Sequence, residues 1–123
     1  NPDECIPDWL SVHPREGELL PGARVILLSI SGFGQDEESP YHTWPAYAPI
    51  PEAMAGFYEQ NRTGDDRPRP VIAGALGDIG SGMFAVIGTL SALRHREITG
   101  LGQHVDIAMY DAMVAMQVGP WST

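Results

Sequence analysis

Ala23-Arg24-Val25-Ile26-Leu27-Leu28-Ser29-Ile30 is the segment from which the fold class follows. It is a short, continuous apolar run with β-branched residues, which is typical of a strand covered on both faces in a parallel sheet. The run ends at a glycine-containing loop, Ser31-Gly32-Phe33-Gly34. It therefore predicts a parallel strand of an α/β protein over Ala23–Ile30.

The later part of the sequence predicts a long helix, a second strand and a final helix. Large apolar residues recur at helical spacing within Gly80–His95, and arginines near its end suit the negative end of a helix dipole. These apolar residues are Met83, Val86, Ile87, Leu90 and Leu93. Gln103–Ile107 is typical of a short strand, and Tyr110 begins one face of a last helix. We expect the two strands to pair in parallel, with the Gly80–His95 helix packed on their sheet.

The remaining segments are less regular. Residues 1–22 contain four prolines, at Pro2, Pro7, Pro14 and Pro21, and show no periodicity, so we interpret them as an irregular lead-in. Pro49–Tyr58 is able to start a helix, because proline is tolerated in the first turn. Two strands are too few for an α/β sheet. We therefore expect residues 23–123 to be a segment of a larger domain.

Composition excludes several classes of protein. The chain has 123 residues and a net charge of −9, with 7 basic and 16 acidic residues, and none of the basic residues is lysine. This balance argues against binding to nucleic acid or anionic lipid. A single cysteine, Cys5, excludes an intrachain disulfide. No uninterrupted apolar run reaches the roughly 18 residues of a membrane span, so we expect a cytoplasmic protein without a membrane partner.

Several familiar motifs are incomplete. Gly32-Phe33-Gly34 lacks the third glycine of a dinucleotide-binding loop, and the acidic residues that follow it would repel a pyrophosphate. The four histidines, at positions 13, 42, 95 and 104, show no metal-ligand spacing, so no metal site is predicted. No serine lies in a G-x-S-x-G elbow, which argues against a serine hydrolase.

Asp78 is the residue most open to a chemical interpretation. It lies in Gly77-Asp78-Ile79-Gly80-Ser81-Gly82, directly before the apolar helix. One interpretation is a helix N-cap, whose carboxylate accepts a backbone N–H. The other is a reactive carboxylate that its glycine neighbours leave accessible to a substrate. The position suits both, so the local sequence leaves the two open.

Six stretches of the sequence follow one another in an order typical of a known family. They are Ser29–Gln35, Pro45–Tyr47, Ala53–Gly56, Gly77-Asp78, Leu93–Gln103 and Val105–Ala112. In these stretches the sequence resembles the family III CoA-transferases, a group that includes formyl-CoA and carnitine CoA-transferases and the related α-methylacyl-CoA racemases. The resemblance runs from about Arg24 to Gln117 and is most specific from Leu93 to Ala112.

The resemblance implies a fold and an assembly. Members of this family have a large Rossmann-like domain and a smaller domain, in two subunits interlinked like rings. Residues 23–123 would then be part of the large domain, reaching the link to the small one. A basic loop that contacts coenzyme A precedes this region in the family, which would account for the absence of lysine here.

The resemblance also implies an activity. The aspartate matching Asp78 attacks an acyl-CoA thioester and then carries CoA as an aspartyl thioester, so that CoA passes from one carboxylic acid to another. Tyr47 matches a residue that lines the CoA channel, although an aromatic anchor for its loop explains it equally well. Many transferases have an acidic residue where this chain has Ala48, so we expect a polar contact to the active-site carboxylate to be missing.

Other interpretations stay open. A CoA-thioester racemase of the same fold is disfavoured. The racemases carry an acid–base histidine and aspartate at the positions of Tyr47 and Ala48, and this chain has neither. A third possibility is a non-catalytic α/β segment used for assembly. We assign Asp106 and Asp111 to structural roles, and Arg94 and Arg96 to the end of the long helix and a neighbouring subunit.

Overall fold

The computed structural model describes residues 22–35, 39–60, 62–70 and 74–117. All of the predicted lead-in except Gly22 lies outside these residues. The elements in chain order are β1 (Ile26–Ser31), α1 (Pro49–Met54), α2 (Phe57–Gln60), α3 (Leu76–Thr99), β2 (Gln103–Ala108) and α4 (Met109–Met116).

The two strands form one parallel sheet, as the sequence predicts. β1 and β2 are hydrogen-bonded neighbours in the described part of the chain. Just before the strands, the Gly102 N–H donates to the Ala23 carbonyl across 2.7 Å, and just after them the Tyr110 N–H donates to the Gly32 carbonyl across 3.0 Å. The first residues of β1 and β2 therefore lie side by side, and so do their last residues. This arrangement requires parallel strands. The α/β fold class is confirmed.

The chain divides into two compact units. One contains the described residues up to Ser29 together with Ala85–Val105, and the other contains Ile30–Phe84 and the described residues from Asp106 onward. In the first unit, Arg96 donates to the Arg24 carbonyl across 3.2 Å, and the Arg24 guanidinium donates to the Gly100 carbonyl across 3.4 Å. These contacts join the end of α3 to the segment that leads into β1.

In the second unit, the core lies where α1, α2 and α4 meet the first turns of α3. Ala55, Ala112 and Met113 are its buried centre, and four larger residues pack against them: Phe57, Leu76, Phe84 and Tyr110. Burial of apolar side chains is the main stabilising contribution in such a cluster.

α3 begins earlier and ends later than the sequence predicts. It starts at Leu76 instead of Gly80 and continues to Thr99 instead of His95. Its glycines suggest a loop, because glycine is a poor helix former, but tertiary contacts outweigh that preference here. The helix ends at Gly100, whose φ of +79° is accessible to glycine and whose N–H donates to the Arg96 carbonyl.

The apolar spacing that identifies α3 lies on its exposed side. Four of the five large residues at this spacing are more than half exposed, from Val86 at 58% to Met83 at 63%, whereas Leu93 is partly buried. The buried positions are small: Ser81, Ala85 and Ala92. Within the described residues, α3 therefore packs through small side chains together with Leu76 and Phe84, and the four exposed apolar residues are left uncovered.

α3 also has the length and hydropathy of a membrane span. It has 24 residues, and an 18-residue window reaches a mean hydropathy of 1.4 with 28% of that window buried. The sequence has no uninterrupted apolar run of this length. The mean over 18 residues is nevertheless high, because it also includes the glycine, serine and threonine residues between the apolar ones. One such helix is a weak indication, because the core helix of a soluble protein meets the same criterion.

Candidate functional site

The candidate site lies where the start of α1 meets the first turn of α3. The main-chain N–H of Ala48, the residue before α1, donates to Oδ1 of Asp78 across 3.1 Å. Ala48 is buried, with 3% of its surface exposed, whereas Asp78 is exposed. The contact therefore fixes one carboxylate oxygen while the side chain stays open to solvent.

The position of Asp78 corrects the N-cap interpretation. Because α3 begins at Leu76, Asp78 lies inside its first turn and is not the residue that precedes the helix. Its Oδ1 accepts a hydrogen bond from the N–H of Ala48, which lies 30 residues away in sequence. The described hydrogen bonds to this carboxylate include none from an N–H of its own helix. The carboxylate still lies near the positive end of the α3 dipole.

Ala48 contacts Asp78 through its main chain. The family resemblance implies that alanine at this position lacks a side-chain contact to the carboxylate, and a methyl group has no polar atom to make one. The main-chain N–H makes a separate contact that does not depend on the side chain at position 48.

Gly77 allows the two helix starts to approach closely. A Cβ atom at this position would lie 2.8 Å from the Ala48 Cα and 2.9 Å from the Ala48 carbonyl oxygen. Real Cβ contacts are essentially never that short, so a larger residue would force the backbone of one helix start to move. Gly77 therefore keeps Asp78 within reach of the Ala48 N–H.

Glu52 is a functional candidate that the sequence analysis misses. It lies on α1 with only 4% of its surface exposed, and its Oε1 accepts a hydrogen bond from the Gly77 N–H across 2.9 Å. The first N–H groups of a helix have no partner within the helix, so Glu52 supplies one for α3. The capping partner lies 25 residues before Gly77, and no local motif reveals it.

Tyr58 is the second partner of Glu52. Its hydroxyl donates to Oε2 of Glu52 across 3.1 Å. Burial raises the pKa of Tyr58 above its ordinary value of 10.0, and the hydrogen bond to Glu52 and the negative charge of that residue raise it further. Tyr58 is therefore a neutral donor near pH 7, and both oxygens of the buried Glu52 carboxylate have a hydrogen-bond donor.

Tyr47, the predicted cofactor contact, lies on the loop directly before Ala48. It is 65% exposed, and its carbonyl accepts the Ile50 N–H across 2.9 Å. The described hydrogen bonds include none from its hydroxyl. The ring is therefore not buried as an anchor in this part of the chain, and it remains accessible beside the loop that contacts Asp78.

Asp106 and Arg94, two of the residues assigned to structural roles, make short contacts. Oδ2 of Asp106 accepts the Gln35 N–H across 2.7 Å, which fixes the loop after β1. Arg94 pairs with Glu97 across 3.2 Å on the surface of α3. Asp111 is exposed on α4.

No described group of three or more histidine, cysteine, aspartate or glutamate side chains is placed to hold a metal ion.

One cavity of the second unit lies away from Asp78. It has a volume of about 430 Å³, and Met54, Gly56, Tyr110 and Gln117 are among its lining residues. Gln117 is 5% exposed, and its Nε2 has no described hydrogen-bond partner. Neither Asp78 nor Tyr47 lines this cavity, so it is separate from the candidate site.

Comparison with known proteins identifies one family. A family model described as CoA-transferase family III matches residues 22–123. The formyl-CoA:oxalate CoA-transferase of Escherichia coli is 47% identical over 92 residues, covering 74% of this chain and 21% of that relative. The succinyl-CoA–L-malate CoA-transferase beta subunit of Chloroflexus aurantiacus is 39% identical over 92 residues, covering 73% of this chain and 22% of that relative.

Solved structures are similar over the same part of the chain. A CAIB/BAIF family protein from Brucella suis has a TM-score of 0.69 and 35% identity, covering 77% of this chain and 24% of that one. A protein from Mycobacterium tuberculosis has a TM-score of 0.65 and 30% identity, covering 75% of this chain and 25% of that one. The chain spans about a fifth of the length of the curated relatives it matches.

Proposed function

The chain belongs to CoA-transferase family III, and from this premise we propose that the whole protein transfers coenzyme A between carboxylic acids, with Asp78 as the nucleophile. The observation that carries the proposal is the placement of Asp78, an exposed carboxylate in the first turn of α3 whose Oδ1, and not Oδ2, accepts a hydrogen bond from the described residues. A catalytic carboxylate needs this combination, because it has to be oriented and still accessible.

The proposed reaction begins at the thioester. Oδ2 of Asp78 attacks the acyl carbonyl carbon of the donor, a C–O bond forms, the C–S bond breaks, and CoA leaves as a thiolate. The product on the enzyme is a mixed anhydride. The thiolate then attacks the Asp78 carbonyl carbon, which releases the donor acid as a carboxylate and leaves an aspartyl-CoA thioester. Covalent catalysis thus divides one difficult exchange into easier steps.

The second half of the reaction reverses these steps with a new acid. The acceptor carboxylate attacks the aspartyl-CoA carbonyl and expels the thiolate, which forms a second mixed anhydride. The thiolate attacks the acceptor's acyl carbon, so the new acyl-CoA forms and the Asp78 carboxylate is regenerated. Bonds and charges balance without an external oxidant or proton donor.

The surroundings of Asp78 support this role. Oδ1 is held by the Ala48 N–H, and no described residue donates a hydrogen bond to Oδ2. The attacking oxygen is therefore oriented by its partner on the same carboxylate and is not blocked by a donor of its own. The nearby start of α3 favours negative charge on the carboxylate and on an oxyanion that forms beside it.

We assign Tyr47 to the CoA channel. Its exposed ring precedes the residue that contacts Asp78, so a CoA molecule whose thioester reaches Asp78 passes close to this loop. An aromatic face offers apolar contact area at low cost in conformational entropy.

The substrates are proposed from the names of relatives. These names pair formyl-CoA or acetyl-CoA with oxalate, and succinyl-CoA with malate. The whole protein should accept a donor and an acceptor of these kinds, which are small CoA thioesters and small dicarboxylic acids. The homodimer and the cytoplasmic location expected from the sequence stay predictions.

Hydroxylamine trapping tests the proposed nucleophile. The whole protein is incubated with each of the three donors, with and without acceptor, and hydroxylamine is added during turnover. Hydroxylamine converts an aspartate that is activated as an anhydride or a thioester to a hydroxamate. Mass spectrometry detects this hydroxamate on the peptide that contains Asp78. Turnover without any hydroxamate at Asp78 would contradict the covalent mechanism, and no transfer from any donor would contradict the assigned activity.

A further inference from the structure

Glu52 is a buried carboxylate whose two oxygens have different partners. Its exposed fraction is 4%. Oε1 accepts the N–H of Gly77 across 2.9 Å, and Oε2 accepts the hydroxyl of Tyr58 across 3.1 Å. A buried charge is costly unless it is hydrogen-bonded, so this side chain is held in one orientation by both donors.

The contact to Gly77 acts on the residue next to Asp78. Gly77 and Asp78 are consecutive residues in the first turn of α3. Glu52 fixes the N–H of Gly77, and the Ala48 N–H fixes Oδ1 of Asp78. Both contacts connect this turn to α1 or to the residue before it, so the orientation of Asp78 depends on how α1 and α3 are held together.

The two contacts are not equivalent. The Ala48 contact uses the Asp78 carboxylate itself, which has to change its charge and bonding during transfer. The Glu52 contact uses only the Gly77 main chain and is unaffected by the chemistry. It therefore continues to hold the first turn of α3 when Asp78 becomes an anhydride or a thioester.

We propose that Glu52 is a positioning residue for Asp78, fixing the first turn of α3 at Gly77 through each covalent step. This inference rests on the proposed role of Asp78 as nucleophile. Glu52 does not touch the reacting atoms, and its effect is on the rate at saturation and not on the binding of CoA.

Three substitutions at Glu52 separate positioning from general stability. Glu52→Ala removes both contacts. Glu52→Asp keeps a carboxylate but withdraws it by about one C–C bond, roughly 1.5 Å, so that it loses reach to Gly77. Glu52→Gln keeps an oxygen acceptor for the Gly77 N–H, and its amide is able to donate to the Tyr58 oxygen.

The experiment measures kcat in the whole protein, with the donor and acceptor pair of the panel above that turns over fastest. The affinity for free CoA is measured by calorimetry, and circular dichroism checks that each variant is folded. Glu59→Ala is the matched control, because Glu59 is an exposed carboxylate on α2 whose ion pair is with Arg62.

We expect Glu52→Ala and Glu52→Asp to lower kcat about 100-fold, the effect expected of a displacement of about 1 Å at a reacting group, with CoA affinity within about threefold of the wild type. Glu52→Gln should keep kcat within about fivefold, and the control should keep it within about twofold. If Glu52→Ala does not fold, Glu52→Asp decides the same question.

Folded Glu52→Asp with kcat within about threefold of the wild type would overturn the positioning role. A 100-fold loss in folded Glu52→Gln would also overturn it, because that variant retains the acceptor. Asp78→Asn is measured in parallel. An active Asp78→Asn variant rejects the nucleophile itself, whereas an inactive one beside fully active Glu52 variants rejects only the positioning role.

Discussion

The N–H of Ala48 donates to Oδ1 of Asp78 across 3.1 Å and joins the start of α1 to the first turn of α3. The acceptor is a side chain and the donor is main chain, so substitutions at Asp78 change or remove the acceptor without altering the donor. Removal of the carboxylate's negative charge and removal of its oxygen are therefore separable by mutation.

Asp78→Asn and Asp78→Ala distinguish a nucleophile from a structural residue. We expect both to lower kcat of the whole protein at least about a thousandfold, because an amide and a methyl group cannot form an acyl-aspartate. Asp78→Asn keeps an oxygen for the Ala48 N–H and should leave the free energy of unfolding nearly unchanged. Asp78→Ala should lower it by about 0.5–1.5 kcal/mol for the lost hydrogen bond. CoA-transfer assays and urea unfolding measure the two effects, and an active Asp78→Asn variant would contradict the nucleophilic role.

Gly77→Ala and Gly82→Ala test the close approach of the two helix starts. The added Cβ at Gly77 would meet the Ala48 backbone at 2.8 Å, whereas at Gly82 no described atom outside the adjoining turns of its own helix lies within 4 Å. We expect Gly77→Ala to lower the free energy of unfolding by about 1–3 kcal/mol through overpacking and to lower kcat. Gly82→Ala should instead raise the free energy of unfolding by about 0.5–1 kcal/mol, because alanine is the better helix former. Equal effects of the two substitutions in urea unfolding would contradict this.

The two strands and the long helix were predictable because their signals are local. The continuous apolar run of β1 and the helical spacing within α3 are visible in single segments of sequence, and the parallel pairing follows from the α/β pattern. The family resemblance was likewise predictable from motifs, and the family match over residues 22–123 confirms it. The start of α3 was not predictable, since Gly77 and Gly80 look like loop residues until their close contacts are known.

The site was predictable only in part. The sequence indicates that Asp78 lies near a helix start, but not which group holds it. The contact of Asp78 with Ala48 uses a main-chain donor, which no choice of side chain reveals. Glu52 reaches Gly77 only because α1 packs beside α3, and its neighbours in sequence give no sign of burial. Long-range contacts of this kind require the fold.

The isolated chain of 123 residues should bind CoA weakly. Its net charge is −9. Among the described arginines, Arg62, Arg69 and Arg94 already pair with acidic residues of their own segments. The CoA phosphates therefore meet a chain of strong net negative charge, in which these three described arginines are already engaged. We expect a Kd above about 1 μM, which is a binding free energy weaker than about −8.2 kcal/mol. Calorimetry with free CoA measures this at two salt concentrations, and submicromolar binding would contradict the prediction.

Tyr58→Phe should change how stability depends on alkaline pH. The pKa of Tyr58 is raised in the folded state, by burial first and then by Glu52, so the folded protein holds this proton more tightly than the unfolded chain does. The resulting stability is present below pH 10, the ordinary tyrosine value, and is lost as the pH rises through the higher folded pKa. Near pH 8, Tyr58→Phe should lower the free energy of unfolding by about 1–3 kcal/mol, because Oε2 of the buried Glu52 loses its donor. Urea unfolding of the whole protein between about pH 8 and 11 should show this difference in the free energy of unfolding narrowing above pH 10.

Tyr47→Phe is the control, since it removes a hydroxyl for which the described residues supply no partner and should change the free energy of unfolding little near pH 8. A difference between wild type and Tyr58→Phe that stays constant or widens above pH 10 would show that the hydroxyl of Tyr58 does not donate to Glu52.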